Sequence, residues 1–309
     1  MIEKIAVLGA GTMGHGIAEA FAMNDYFVNL FEIKEKVRTT VKNTIKLELE
    51  FLVENELISL EKVEKALDHI KLYSDLKSCV EGVDYVIEAT PEKIELKQKL
   101  FKDLDKYCQA NTILASNTSS IALEEMMKFI SEDRKKKVMV CHWYNPAHLM
   151  PLVELSHFGN MSDETFSKVE NLYSKIGKQT VKVLKDVPGL VANRIQQAVA
   201  REVFSLIETG VAEPADIDKA LKFGPAFRYA TTGHLEVVDL GGLDIWCTVG
   251  DNLLSVMDNS KEASPILRQK VLENKLGIKS GEGFFKYPEG KIKEVKDKFK
   301  DRKSTRLNS

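Results

Sequence analysis

The stretch KIAVLGAGTMGHGIAEA, residues 4–20, has the pattern of a strand, a glycine-rich turn and a helix. An apolar run, residues 5–8, leads into Gly9, Gly11 and Gly14, and a helical pattern follows. Between a strand and a helix, glycines at this spacing permit a tight turn, close approach of the backbone to a pyrophosphate, and close helix packing. The stretch therefore predicts a dinucleotide-binding turn, although similar glycines also occur in ordinary strand-to-helix turns. The predicted cofactor-binding residues of the turn are Gly9, Gly11, Thr12, Met13 and Gly14.

An acid follows the second apolar run, where it can bind ribose hydroxyls. Glu32 comes directly after residues 27–31, roughly 20 residues beyond the glycines, as the dinucleotide-binding pattern requires. A carboxylate at this position repels a 2′-phosphate, so the pattern favours NAD over NADP. The positive charge of Lys34, close by, would instead favour the 2′-phosphate of NADP.

Short apolar, β-branched runs alternate with helical periods beyond this unit. Six runs are typical of buried strands: residues 5–8, 27–31, 70–73, 83–87, 112–115 and 138–140. MPLVELS and KQTVKVL indicate two more strands, joined through the helical SDETFSKVENLYSKIG. This order predicts an α/β fold, a Rossmann-like doubly wound and mostly parallel sheet with helices on both faces.

The connection after the second strand is unusually long. Residues 34–59 are charged and helical, and SLEKVEKALDHI adds a further turn or two. Because a crossover needs less chain than this, we expect a helical arm that projects from the sheet.

The pattern changes after DVPGLVAN, residues 186–193. Pro188 lies near a helix start, apolar residues recur from Val191 to Val203 every four positions, and Gly210 follows the last turn. We therefore predict a Rossmann-like domain over residues 1–186 and an all-α C-terminal domain over residues 187–298. The basic residues 299–309 show no apolar period, which predicts a disordered tail.

Size and charge exclude several classes of protein. A chain of 309 residues favours two domains, and its net charge of -2 gives nucleic acid no basic field to follow. The chain has neither an apolar run of about 18 residues nor a signal-peptide pattern, so we expect a cytoplasmic protein without membrane partners. The four cysteines form no C-x-x-C pair, which indicates reduced, mostly core thiols and no metal site, with Cys141 partly exposed.

A second acidic element lies in VIEATPEKIELKQ, residues 86–98. It brings Glu88, Glu92 and Lys97 to the carboxyl end of the fourth strand, where ligands bind in open α/β folds. Acids in the first turn of a helix are equally well explained by its dipole.

His142 is the candidate catalytic group, at the end of the sixth strand in CHWYNPAHLMPLVELS. Oxidation of an alcohol by NAD releases a proton as well as a hydride, so the site needs a base with a pKa near neutrality. Glu154, in the next predicted strand, can fix the imidazole tautomer and stabilise its protonated form. A histidine beside Trp143 and Tyr144, taken alone, is more often structural. The other five histidines have no comparable partners in the sequence, and we interpret them as surface or structural residues.

Two polar residues near other strand and helix ends complete the candidate site. Ser119 in SNTSS can reach a substrate oxygen, but Ser119 or Ser120 serves equally well as the N-cap of a helix starting near Ile121. Asn193 has a similar alternative as a polar residue in the first turn of the helix after Pro188.

The chain resembles the 3-hydroxyacyl-CoA dehydrogenases over nearly all of its length. It carries, in the order of that family, GAGTMGHGIA, EATPEKIELK, SNTSS, HWYNP, PLVE, PGLVANR and NKLGIKSGEGFFKY. The resemblance implies that His142 is the catalytic base with Glu154 as its partner, and that Ser119 and Asn193 contact the substrate oxygen and imidazole region. It also implies that Glu32, Glu92 and Lys97 belong to the NAD site. The helical domain would close over the substrate and form a homodimer.

The substrate has alternatives. The resemblance favours oxidation of a short L-3-hydroxyacyl-CoA, such as 3-hydroxybutyryl-CoA. The family's HFFNP box is replaced by HWYNP, and FGPAFRYATTGHLEVVDLGGLD resembles the lambda-crystallin and gulonate dehydrogenase branch, which oxidises a small sugar acid. Arg228 in this segment can pair with a substrate carboxylate. A free hydroxy acid of the gulonate or carnitine type is therefore a second hypothesis, and a dinucleotide-binding protein without turnover is a third.

Overall fold

The computed structural model describes residues 2–292 and 294–295. The strands are β1 (Lys4–Leu8), β2 (Phe27–Phe31), β3 (Ile70–Tyr73), β4 (Tyr85–Glu88), β5 (Ile113–Ser116), β6 (Val138–Trp143), β7 (Leu152–Ser156) and β8 (Gln179–Val183). The helices of the first two-thirds of the chain are α1 (Gly14–Ala22), α2 (Glu35–Glu54), α3 (Leu60–Asp68), α4 (Leu76–Val80), α5 (Ile94–Tyr107), α6 (Leu123–Met126), α7 (Glu132–Lys135) and α8 (Asp163–Lys175). The remaining helices are α9 (Ala192–Glu208), α10 (Pro214–Phe223), α11 (Pro225–Tyr229), α12 (His234–Gly241), α13 (Leu243–Leu253) and α14 (Pro265–Leu272), with a 3-10 turn over Glu289–Lys291.

One eight-stranded sheet organises the first part of the chain, in the order β3-β2-β1-β4-β5-β6-β7-β8. The first six strands are parallel and follow the doubly wound order, in which the strand sequence reverses direction between β1 and β4. β7 pairs antiparallel with β6, and β8 then pairs parallel with β7. The predicted fold class is confirmed. The carboxyl ends of β1, β4, β5 and β6 lie along one edge of the sheet, where a ligand is expected.

Both faces of the sheet are covered by helices. In β1, Ile5 and Val7 belong to one buried core with Phe21 of α1, while Ala6 and Leu8 belong to another with Phe101 of α5. Successive side chains of a strand point to opposite faces, so a strand buried on both sides must be apolar throughout. This explains why the buried strands were legible as uninterrupted apolar runs.

The helical arm, formed by α2 and α3, packs one side against α1. One face of α2, formed by Val41, Ile45, Leu49 and Leu52, is buried in the same core as Phe21. α3 adds two more buried side chains, Val63 and Ala66, and begins at the N-cap Ser59, whose hydroxyl accepts a hydrogen bond from the Lys62 N–H. The structure has the expected helical arm and shows in addition that its apolar stripe packs on α1, which the length of the segment does not reveal.

The chain divides into two compact units, and the first runs to Val191. The second begins at Ala192 with α9, a few residues later than the position of Pro188 suggested. Gly189 and Leu190 both have positive φ, at 80° and 48°, which makes a turn that a helix cannot include. The tail predicted over residues 299–309 lies outside the described residues.

The described residues include no helix that is long and apolar enough to cross a membrane. Cys79, Cys108 and Cys141 are buried, and burial raises the pKa of the Cys141 thiol to about 12. Cys141 is therefore not partly exposed as expected. β6 continues through it to Trp143 and every residue of that strand is buried.

Candidate active site

The glycine turn follows β1 at the carboxyl edge of the sheet. Gly9 has a φ of 97°, and a Cβ added there would lie 2.9 Å from the Ala89 carbonyl oxygen just beyond β4. Both the conformation and the space therefore require glycine at this position. Gly9 fixes the path of the turn between two neighbouring strands.

Gly11 has no such structural reason to be glycine. Its φ is not positive, and among the described residues, chain neighbours aside, no heavy atom lies within 4 Å of the Cβ that another residue would carry. The N-cap residue of α1, Met13, makes no side-chain capping bond, and the first turn of α1 holds no acid. Open space at Gly11 and uncapped amides beside it fit the pyrophosphate of a dinucleotide.

Glu32 follows β2 and lies against this turn. Its Oε2 accepts a hydrogen bond from the Ala10 N–H at 3.1 Å, and its Oε1 accepts one from the Lys34 N–H at 2.8 Å. The carboxylate is thereby held at the mouth of the glycine turn. In dinucleotide-binding folds an acid at this position bonds the ribose hydroxyls of NAD. The same negative charge would repel the 2′-phosphate of NADP.

Glu88, the last residue of β4, is the centre of a buried polar network. It accepts hydrogen bonds from the Thr90 hydroxyl and from the hydroxyl of Ser116, and its Oε1 lies 2.6 Å from the Lys97 Nζ. Glu88 and Lys97 are 0% and 1% exposed. The network ties the segments after β4 and β5 to α5.

Glu92 lies at the more exposed end of the same network. Its Oε1 accepts hydrogen bonds from the Thr118 hydroxyl and the Ser119 N–H, and its Oε2 lies 3.3 Å from the Lys97 Nζ. Partial burial alone would raise the pKa of Glu92, but the Thr118 hydroxyl, the Lys97 charge and the Ser119 N–H together lower it. Glu92 is the member of the network that a ligand can reach, whereas Lys97 is enclosed behind it.

His142 and Glu154 are directly opposite each other in the antiparallel pair of β6 and β7. The His142 Nδ1 lies 2.8 Å from the Glu154 Oε2, and the two side chains are 8% and 0% exposed. The other carboxylate oxygen of Glu154 accepts a hydrogen bond from the Val191 N–H at 2.8 Å. A carboxylate fixed on both sides holds the imidazole with Nδ1 protonated, which leaves Nε2 to exchange a proton with a substrate.

Strand register places this pair at the same edge as the glycine turn. Val140 of β6 pairs with Ser116, the last residue of β5, and His142 lies two residues further along β6. The SNTSS segment leaves β5 at that edge. The structure therefore brings the glycine turn, Glu92, Ser119 and His142 to the carboxyl ends of four adjacent parallel strands.

Ser119 and Asn193, the two predicted polar site residues, lie in different parts of the structure. Neither Ser119 nor Ser120 caps α6, because the helix begins at Leu123, whose N–H donates to Asp186 at 2.6 Å. The Ser119 carbonyl instead accepts a hydrogen bond from the Gly189 N–H at 2.9 Å. Asn193 lies in the first turn of α9, within the second unit.

The sequence interpretation gave no role near His142 to two residues, Asn117 and Tyr144. The Asn117 side-chain oxygen accepts a hydrogen bond from the Trp143 N–H at 2.8 Å and links the segment after β5 to β6. Tyr144 packs edge-on against the His142 ring at 5.3 Å. Burial, with a smaller effect of the Glu154 charge, raises the pKa of Tyr144 to about 12, so its hydroxyl stays neutral. Both residues lie within the quoted motifs SNTSS and HWYNP, which was the signal available.

Two family models cover most of the chain. The NAD-binding domain of 3-hydroxyacyl-CoA dehydrogenase matches residues 4–187, and the C-terminal domain of the same enzyme matches residues 189–287. The chain belongs to the 3-hydroxyacyl-CoA dehydrogenase family. This confirms the resemblance seen in the motifs, the oxidoreductase class and NAD as the cofactor.

Individual members of the 3-hydroxyacyl-CoA dehydrogenase family differ in substrate. The chain is 34% identical over 289 residues to a probable 3-hydroxybutyryl-CoA dehydrogenase of Bacillus subtilis, covering 93% of this chain and 98% of the relative. It is 31% identical over 287 residues to 5-formyl-3-hydroxy-2-methylpyridine 4-carboxylate 5-dehydrogenase of Mesorhizobium japonicum, covering 93% and 91%. A solved structure of a dehydrogenase for that pyridine acid, described as an NAD+-dependent dismutase, matches 100% of this chain and 97% of its own at 30% identity, with a TM-score of 0.88.

Proposed function

We propose that the protein is an NAD-dependent L-3-hydroxyacyl-CoA dehydrogenase acting reversibly on a short chain such as 3-hydroxybutyryl-CoA. The observation that carries the proposal is the buried His142–Glu154 pair, at 2.8 Å, on the sheet edge that also holds the glycine turn. Membership of the 3-hydroxyacyl-CoA dehydrogenase family supports an acyl-CoA substrate.

In the oxidative direction His142 acts as the base. Its Nε2 accepts the proton of the substrate hydroxyl, and Glu154 stabilises the imidazolium that results. Bound NAD supplies the hydride acceptor. Ser119 and Asn193 would donate hydrogen bonds to the reacting oxygen, as the family resemblance implies. In the reductive direction His142 returns the proton.

Several residues hold the cofactor in this proposal. Amides of the turn from Gly9 to Gly14 bind the pyrophosphate, and Glu32 binds the ribose. Glu92 would contact the bound cofactor, and Lys97 would act indirectly through the Glu92 carboxylate, 3.3 Å away. In this proposal the Rossmann-like domain, residues 1–186, is the domain that binds NAD.

A small free acid is the second candidate substrate. The relative from Mesorhizobium japonicum is named for a pyridine carboxylate and not for a CoA ester. Arg228, at the end of α11, supplies a guanidinium of the kind that binds a carboxylate with two parallel hydrogen bonds. These two observations favour an acid whose carboxylate takes the place of the CoA thioester.

A steady-state comparison separates the candidates. We expect NADH oxidation with acetoacetyl-CoA, and a kcat/KM at least about 100-fold lower for gulonate, carnitine and the pyridine carboxylate in the corresponding assays. The reverse ranking would replace the acyl-CoA assignment with the free-acid one. NADH binding without turnover on the whole panel would leave a non-catalytic dinucleotide-binding protein.

The proposal includes a cytoplasmic homodimer formed by the helical domain. Helices α12 and α13 expose large apolar side chains, among them Leu240 and Leu243, which are 83% and 66% exposed in the single chain. Large apolar side chains exposed together on two neighbouring helices are typical of an interface. Light scattering on a sizing column should give twice the chain mass of 34.8 kDa, and a monomer at micromolar concentration would contradict the assembly.

A further inference from the structure

His15 and His148, which the sequence analysis left without partners, both lie close to carboxylates in the structure. The His15 Nε2 lies 3.1 Å from the Glu48 Oε2, and the His148 Nδ1 lies 3.8 Å from carboxylate oxygens of both Glu48 and Glu19. The sequence interpretation was wrong on this point, because Glu48 lies on α2 and meets the histidines only in the folded structure. The group lies beside the nucleotide turn.

His15 is bonded to the turn itself. Its Nδ1 lies 2.7 Å from the Gly11 carbonyl oxygen, which also accepts the His15 backbone N–H at 3.2 Å. A carbonyl oxygen can only accept, so the His15 Nδ1 carries a proton. The Nε2 then faces a carboxylate, an arrangement that favours a second proton and an imidazolium.

This imidazolium would stand in the first turn of α1. A positive charge there opposes the helix dipole unless an anion compensates it. Glu48 provides that anion in the protein alone, and the dinucleotide pyrophosphate would bring further negative charge to the same helix end. Glu48 therefore stabilises the position of His15 by compensating its charge at the N-terminus of α1.

The surroundings keep the pair in place. Glu48 lies on α2 between the buried Ile45 and Leu49, which anchor that turn of the helix in the core. Gly16 allows α1 to approach the segment after β6 closely, since a Cβ there would lie 3.2 Å from the Ala147 Cβ and 3.5 Å from the His148 Nδ1. The Lys178 Nζ secures that segment by donating to the Ala147 carbonyl at 2.7 Å.

We propose that Glu48, acting through His15, positions the Gly11 carbonyl and so holds the glycine turn in the conformation that binds the pyrophosphate of NAD. Glu48 is a positioning residue in this scheme and His15 is its link to the turn. The arm helix α2 thereby has a role in cofactor affinity that does not depend on the identity of the substrate.

A double-mutant cycle tests the proposal with NADH binding, followed by fluorescence, as its readout. We expect Glu48→Ala and His15→Ala each to raise the NADH dissociation constant roughly three- to tenfold, the size of one lost close ion pair. The double variant should bind like His15→Ala alone, because Glu48 acts through His15. Glu48→Gln should fall between wild type and Glu48→Ala, since its side-chain amide still bonds the imidazole.

Glu50→Ala is the matched control. Glu50 lies on the same helix and pairs with Lys46 at 3.7 Å, away from the turn, so its variant should bind NADH like wild type. With acetoacetyl-CoA, Glu48→Ala should raise the KM for NADH and leave kcat within about twofold. Inactivity of the wild type on that substrate would count against the proposed function only.

Three outcomes overturn the proposal. In the first, Glu48→Ala raises the NADH dissociation constant no more than Glu50→Ala does, and in the second it raises that constant equally in wild type and in the His15→Ala variant. The third outcome is a lower kcat for Glu48→Ala with unchanged NADH affinity. If Glu48→Ala does not fold, judged by circular dichroism, the cycle is run with Glu48→Gln. Wild-type affinity and no coupling to His15 in that variant would overturn the proposal equally.

Discussion

Some residues of the candidate site are required by the backbone conformation, and others are explained only by a bound ligand. Gly9 has a left-handed backbone and a carbonyl oxygen 2.9 Å from where a Cβ would stand. Gly11 has neither constraint, and the space beside it is open. Two glycines of one motif therefore have different physical reasons to be glycine.

The two glycines should respond differently to alanine. Gly9→Ala is expected to lower the free energy of unfolding by about 1–3 kcal/mol, because of the positive φ and the contact with Ala89. Gly11→Ala should change it by less than about 0.5 kcal/mol yet raise the NADH dissociation constant about tenfold or more, because the methyl group occupies the approach of the pyrophosphate. Urea unfolding and NADH titration of both variants check this. Equal losses of stability in the two variants would contradict it.

At the scale of elements, the arm and the segments after β4 and β5 decide how the site is supported. α2 lays one apolar stripe against α1, and Glu88 with Glu92 joins two segments that leave adjacent strands. The site edge is therefore held by packing on one side of the sheet and by a polar network on the other.

The packing of the arm can be tested with two leucines of α2. Leu49 is 0% exposed and Leu47 is 59% exposed. Leu49→Ala is expected to lower the free energy of unfolding by about 2–5 kcal/mol, since it removes buried methyl groups and leaves a cavity. Leu47→Ala should cost less than about 0.5 kcal/mol. Similar small losses in both variants, measured by urea unfolding, would mean that the arm does not pack as described.

The polar network predicts a pH dependence of stability. The pKa of Glu92 is lowered from its ordinary value of 4.5 in the folded chain, so its contribution is present above that value and is lost as pH falls through the folded pKa. Wild type should exceed Glu92→Gln in stability at pH 7, by less than about 1 kcal/mol for so exposed a group. The difference should shrink in unfolding measurements as pH falls below 4.5. A difference that grows on acidification would contradict the assignment.

At the scale of the whole molecule, one sheet carries the cofactor turn and the His142–Glu154 pair, and a second unit of helices follows from Ala192. The two family models also meet between residues 187 and 189. The glycine turn, His142 and Glu154 all belong to the first unit. Relatives over nearly the whole length of this chain are named for a CoA ester and for a pyridine acid, so membership of the family does not fix the substrate.

How much was legible in the sequence depends on whether a residue's partner is local. The ranges of β2 and β3 were predicted to the residue, because strands buried on both faces are continuous apolar runs bounded by polar residues. β6 was predicted three residues short, since its end is set by pairing with β7. The Glu48 contacts of His15 and His148 were not predictable, because they join elements that meet only after folding. His142 and Glu154 were paired correctly only because one antiparallel step connects them.

In the proposed mechanism the His142 imidazole is the base of an NAD-dependent dehydrogenase. The variant His142→Gln, measured for turnover and for NADH binding in the same preparation, shows whether it is. We expect kcat to fall by roughly 10²–10⁴-fold while the NADH dissociation constant stays within about twofold of wild type. Turnover close to that of wild type, with NADH bound normally, would remove His142 from the chemistry.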